Sequence, residues 1–356
     1  MSAVQSVCGP IEPAALGRVL FHEHLLMTHA GPWVSGRLLG RIEFEQLQVD
    51  AAVTALSGLR DAGFDTVVDL SPYGDVGRDA HGHNVTLLQR IAERTGLHIV
   101  TGTATYRSEF SPQWVRDASV DELTERFITD ARTGIGDTGI RAGIIGEQPT
   151  SENVVTDHDA KGLRAAARAA AATGLTLATH TTHGTMALEQ VDIIAAEGMD
   201  LSRVVIGHMD NHTDLDYVRA VLGRGVCIAL DSVGKQFWDA RAPYRLPAAN
   251  GEFTKRTFFR SDETRADWLA TLISDGHRDR IVLSHDLVGS QVALNPETHG
   301  QYGYTYLGTA FIKLLTARGV SAADLDALLH TNPARLLTVA SGPCLGGKNA
   351  ADELPR

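Results

Sequence analysis

The sequence predicts an α/β fold, a single (β/α)8 barrel of the TIM type, on three observations. One phrase recurs along the chain: a helix-like stretch, a glycine, then a short β-branched run. Eight such runs fit within 356 residues, a length that barrels of this kind occupy as one domain. No GxGxxG opens a helix after the first run, so an open dinucleotide-binding sheet has no support.

In chain order the strands are expected near 18–24, 65–70, 97–104, 140–146, 175–180, 203–208, 226–231 and 281–286. The helix that leads into each is clearest in LSGLRDAGFDTVVDL at Gly63, LLQRIAERTGLHIVTGTA at Gly96 and LRAAARAAAATGLTLATH at Gly174. The same phrase returns in VRAVLGRGVCIAL at Gly225 and WLATLISDGHRDRIVLSHD at Gly276. A glycine at that point takes positive φ, ends the helix and turns the chain into the next strand. The strand runs are continuously apolar rather than alternating, as parallel strands covered on both faces should be. Gly234–Ser261 reads as a long loop at the barrel mouth, residues 1–340 as one domain, and 341–356 as a loosely held tail.

Composition narrows the partners. There are 32 basic and 43 acidic residues, a formal net charge of −11, and no basic stripe interleaved with aromatics, so nucleic acid is not expected as a partner. Cys8, Cys227 and Cys344 are widely separated and form neither a disulfide framework nor a CxxC site, which fits a reducing compartment. The first residues lack the basic and apolar regions of a signal peptide, and no run of ~18 apolar residues exists to span a bilayer. A soluble, cytoplasmic protein is expected. Phe258-Phe259 in the long loop suggests a homodimer contact.

Chemistry-bearing residues gather at the C-terminal ends of the strands, where barrel enzymes work. Strand one closes on Phe21-His22-Glu23-His24, and two histidines at i and i+2 project from one face while Glu23 points away. Strand four ends AGIIGE at Glu147, strand five LATH at His180, strand six VIGH at His208 and strand eight VLSHD at Asp286. A lone strand-end histidine is more often structural than a ligand. Unrelated structural histidines, however, have no reason to share one end of four separate strands, so the set reads as a metal site.

With GPIEPAALGRVLFHEHLLM, TGIRAGIIGE, THTTHGTMALEQ, SRVVIGHMDN, LSHD and TNPARLL in place, the chain resembles the phosphotriesterase-related branch of the amidohydrolase superfamily over nearly its whole length. That resemblance implies a binuclear centre, with His22, His24 and Asp286 on one metal and His180 and His208 on the other. In much of the family a carboxylated lysine on strand four bridges the metals. Here the lysines are Lys161, Lys235, Lys255, Lys313 and Lys348, none of them in strand four. Gly146 stands about where that lysine would be, and Glu147 resembles the glutamate bridge of some relatives. Alternation turns adjacent strand positions to opposite faces, so a bulge or strand-end turn is needed to aim Glu147 inward. Gln148-Pro149 follow, where Ile-Gly is common in those relatives.

Imidazole and carboxylate ligands favour two zinc ions, with manganese, cobalt or nickel compatible. Two cations on one water lower its pKa from ~15.7 toward ~7, and Asp286 is placed to take the proton. The expected reaction is hydrolysis of a lactone or carboxylic ester, with phosphotriester turnover as a side activity. The alternatives are an amidase acting on an N-acyl amine and, in another class, a non-catalytic metal- or ligand-binding barrel. Tyr106, Lys235, Trp238, Tyr302 and Tyr304 are candidates for the substrate pocket; Thr181, His183, Asp210 and His212 are candidates for the surroundings of the ligands. His285, beside Asp286, is expected to face away into the core.

Overall fold

A computed structural model describes residues 3–26, 42–74, 77–235, 261–288 and 303–340. Eight parallel strands follow one another around a sheet: β3 (Val19–Glu23), β4 (Thr66–Asp69), β5 (His98–Thr103), β6 (Ile144–Thr150), β7 (Leu177–Thr181), β8 (Val204–Ile206), β9 (Cys227–Leu230) and β10 (Ile281–Leu283). Each pairs in parallel with the next in sequence. The seam between last and first closes through Asp286 N to His22 O at 3.0 Å, His24 N to Leu287 O at 2.9 Å and a parallel bridge from His24 to Val288. The predicted barrel is present.

Its joints obey the glycine rule. Gly63, Gly96, Gly174, Gly225 and Gly276 all have φ between 69° and 91°, the left-handed region that a side chain disfavours. Helices Val85–Thr95 (α1), Val120–Arg132 (α2) and Asp157–Thr173 (α3) precede β5, β6 and β7. Capping boxes open two of them: Ser119 with Glu122 for α2, Thr156 with Asp159 for α3.

Strand alternation separates two cores. Val19, Phe21, Val68, Val100, Ile144, Ala178, Val205, Ala229 and Val282 form one buried cluster filling the barrel. Leu20, Val67, Ile99, Ile145, Leu177, Ile228, Leu283 and the helix faces form the surrounding layer. The inner cluster puts a buried apolar floor beneath the mouth, where polar interactions are little screened.

Three details differ from the sequence reading. A hairpin, β1 (Val4–Ser6) with β2 (Gly9–Ile11), precedes the barrel; its strands are too short for a periodic signal. Strand four starts at Ile144 instead of 140 and runs on to Thr150, because residues before it pack against the hairpin: a Cβ on Gly143 would lie 2.3 Å from Gln5 O. His208 lies beyond the end of β8 and Asp286 beyond β10, each in a left-handed turn rather than on the strand. Most of the predicted mouth loop (236–260, with Trp238, Phe258 and Phe259), Tyr302 and the tail 341–356 lie outside the described residues. Among the described residues no helix is long and apolar enough to cross a membrane.

Candidate metal centre

Six side chains from five strands meet at the mouth. On β3 the pairing register slips between Leu20 and Glu23. Phe21 therefore faces the apolar interior while His22 and His24 both reach the mouth. On β6 a second slip lies between Ile145 and Gln148, and it answers the problem of aiming Glu147. Gly146 has φ 149°, and a Cβ there would sit 2.7 Å from Ala178 O. Position 146 accepts no side chain here, and the irregularity turns the next residue inward. His180 needs no such device, since Ala178 and His180 share a face of β7. His208 and Asp286 turn inward through left-handed backbone at φ 58° and 53°, conformations that cluster at functional sites.

The six residues divide into two ligand sets. His22 Nε2, His24 Nε2 and Asp286 Oδ1 face one another, with Asp286 Oδ1 at 3.1 Å from His24 and 3.8 Å from His22. His180 Nδ1 and His208 Nε2 lie 2.8 Å apart. Glu147 stands between the sets. Its Oε1 is 3.3 Å from His24 Nε2, while its Oε2 is 3.0 Å from His180 Nδ1, 3.7 Å from His208 Nε2 and 3.3 Å from His22 Nε2. Ligand atoms ~2.0–2.1 Å from a tetrahedral zinc stand ~3.3 Å apart, so these separations suit a cation in each set. A buried atom points the same way: His22 Nε2 is enclosed with no hydrogen-bond partner, a costly state for a polar ring nitrogen that a bound cation would relieve. The donor set fits two divalent metals.

A third grouping, His22, His208 and Asp231, has a different meaning. Asp231 accepts from His22 Nδ1 at 2.7 Å and from His208 Nδ1 at 2.8 Å. It thereby directs both Nε2 lone pairs into the mouth, the role a carboxylate plays behind metal-binding histidines. Burial pushes the His208 imidazole down, but the Asp231 charge and hydrogen bond reverse this and hold it at about 10. Burial pulls His180 down to about 4, Glu147 opposing only in part. Burial also raises the Glu147 and Asp286 carboxyls, yet neighbouring histidines, and for Asp286 first Lys235, hold both well below the usual range.

The surroundings sort the other candidates. Tyr106 O–H lies 3.4 Å from His180 Nε2, at the rim of the mouth. Lys235 Nζ donates to Asp286 Oδ2, the oxygen turned away from His24. Asp210 supports the site indirectly: it accepts from Asp231 N and Ser232 N, and from buried Arg265 Nε at 2.6 Å. Thr181 donates to Gly207 O. His212 stacks on Tyr217 with centroids 4.1 Å apart, and His183 lies 3.5 Å from Glu152. Tyr304 is buried. His285 does face away, where Glu23 takes its Nδ1–H at 2.9 Å.

Asp231, Ser71 and Arg265 are absent from the sequence-based set. Asp231 had a usable signal, for ALD at the end of β9 is one more strand-end carboxylate. Ser71, 3.2 Å from His24 Nδ1, and Arg265, reaching in from the helix Asp262–Ser274, had none.

Known proteins resemble the chain in the same terms. The phosphotriesterase homology protein of Escherichia coli, solved with phosphate in its active site, is 30% identical with a TM-score of 0.74, the match covering 92% of this chain and 100% of that one. A structure titled for engineering organophosphate hydrolysis from a weak promiscuous lactonase template is 28% identical with a TM-score of 0.78, over 94% and 99%. The N-acetyltaurine hydrolase of Danio rerio is 27% identical over 94% of this chain and 97% of its own length. The sequence profile of the phosphotriesterase family matches residues 2–337. The chain belongs to the phosphotriesterase family, and is a hydrolase of the amidohydrolase superfamily.

Proposed function

We propose that this hydrolase is metal-dependent, uses a binuclear centre, and cleaves a carboxyl bond, a lactone or carboxylic ester first, with phosphotriester turnover as a side activity. The observation that carries the reading is the two ligand sets divided by one carboxylate, Glu147. When bound there, two divalent cations, zinc first, supply water activated at neutral pH and polarise the substrate oxygen. His22, His24 and Asp286 would hold one, His180 and His208 the other, and Glu147 both.

The protein's own groups do the rest. Asp231 fixes the tautomer and aim of His22 and His208. Asp286, 20% exposed at its side chain and the most open of the six residues, accepts the proton of the attacking water and returns it to the leaving group. Lys235 holds the outer oxygen of Asp286 in place. Tyr106, its ring edge-on to His180 with centroids 5.3 Å apart, offers an aromatic face to the acyl group.

Amide cleavage is the second reading, favoured by the N-acetyltaurine hydrolase relative that spans 94% of the chain; the same nucleophile attacks either carbonyl. A panel of lactones, carboxylic esters, N-acyl amines and phosphotriesters, run on metal-reconstituted protein, separates these readings. Highest kcat/KM on lactones or esters supports the first, and highest kcat/KM on N-acyl amines replaces it with the second. Turnover of none of these classes refutes both.

A further inference from the structure

Glu23 lies between the two histidines of β3 and points out of the mouth, yet it is wholly buried. A buried carboxylate is costly unless its oxygens are satisfied, and here the partners come from one place. Oε1 accepts from Ser284 Oγ at 2.8 Å, His285 N at 3.0 Å and His285 Nδ1 at 2.9 Å; Oε2 accepts from Leu287 N at 2.8 Å. All four donors belong to the turn around Asp286. Two are the backbone N–H groups on either side of it, in a stretch where β10 has ended and no regular ladder takes them. Asp286 itself has φ 53°, a conformation an aspartate keeps only when its surroundings impose it. Ser284 Oγ also accepts from His22 N at 2.8 Å, and His285 Nε2 accepts from Leu307 N at 3.1 Å, so the grip continues to both sides.

We propose that Glu23 is the positioning residue for Asp286: it clamps residues 284–287 so that Asp286 Oδ1 faces His24 Nε2. A glutamate between two strand-one ligands thus assembles the third member of their set from the last strand, its neighbour across the closing seam. The proposal rests on the reading of Asp286 as a metal ligand.

The test is zinc binding to metal-free protein by competition with a chromogenic chelator, for wild type, Glu23→Gln, Asp286→Asn and the double variant. Glu23→Gln keeps the size of the side chain but offers an amide N–H to a donor. It should weaken one of two zinc ions by ~10–100-fold and leave the other unchanged. Adding it to Asp286→Asn should cost little more, since both act through one ligand. Two zinc ions bound by Glu23→Gln as tightly as by wild type, or effects that simply add, overturn the proposal. If Asp286→Asn alone leaves both affinities unchanged, the ligand reading fails and takes this inference with it; if only Glu23→Gln is silent, the ligand reading stands. Glu23→Asp keeps the charge and draws it back by one methylene, and serves if Glu23→Gln does not fold. It should weaken the same single zinc, less severely, and no change in it overturns the proposal equally.

Discussion

Gly146 and Glu147 illustrate how one residue's chemistry depends on its neighbour's absence of a side chain. With no room for a Cβ at Gly146, the proposed centre would take its strand-four bridge from Glu147, whose carboxylate is permanent and requires no dissolved carbon dioxide. Metal reconstitution should therefore proceed equally with and without bicarbonate. Glu147→Gln should lose at least one metal by elemental analysis, and Glu147→Lys should regain it only with added bicarbonate, as its carbamate. Full metal content in Glu147→Gln would remove Glu147 from the bridge. Asp286 carries the proton in the proposed mechanism, so Asp286→Asn should fold yet lose kcat by a factor of ~10²–10⁴ on whichever substrate the panel identifies. Near wild-type turnover would exclude that role.

At the scale of elements, helix α2 is bolted to the barrel by a buried polar cluster. Tyr73, just after β4, donates its hydroxyl to Asp130 of α2 at 2.7 Å, and Thr103 of β5 donates to the same oxygen at 2.7 Å. Arg126 donates to Tyr73 Oη at 2.8 Å and pairs with the other Asp130 oxygen at 3.1 Å. Trp114 meets the Tyr73 ring edge-on, centroids 5.4 Å apart. Burial pushes the Asp130 carboxyl up although Thr103, Arg126 and Tyr73 oppose it, so each partner matters to keeping the charge. Tyr73→Phe should lower unfolding stability by about 1–3 kcal/mol, read from denaturant midpoints at unchanged m-value. It should leave the metal content as it is, because no atom of the cluster belongs to either ligand set. A stability change within error would show that the cluster is no bolt.

For the whole molecule, a proposed centre drawn from five strands makes metal binding part of folding. Metal-replete protein should contain about two divalent ions per chain. Chelation should lower the midpoint of thermal unfolding, since a ligand at 100 times its Kd adds about 2.7 kcal/mol to the folded state. The sign of the pH effect follows from His208. Its imidazole lies at about 10 without metal, so it is charged at pH 7 and must lose a proton before Nε2 can bind. Metal uptake at pH 7 should acidify a weakly buffered solution by at least one proton per chain, and affinity should rise with pH toward about 10. Proton-neutral uptake would contradict the protonated His208. Of this architecture, the sequence by itself determined the eight strands, the glycine at five helix–strand joints and the end of the barrel where the candidate ligands gather. Those features are written in local periodicity and in backbone conformations that only glycine tolerates. The tertiary structure alone decided which residues stand behind the ligands and how Glu147, His208 and Asp286 turn inward. Asp231 reaches histidines 209 and 23 residues away in the chain, and Glu23 grips a turn more than 260 residues away. The grip of Glu23 arises only when closure of the barrel brings its first and last strands together, and Asp231 reaches its histidines only once β3, β8 and β9 share one mouth; no local pattern records either.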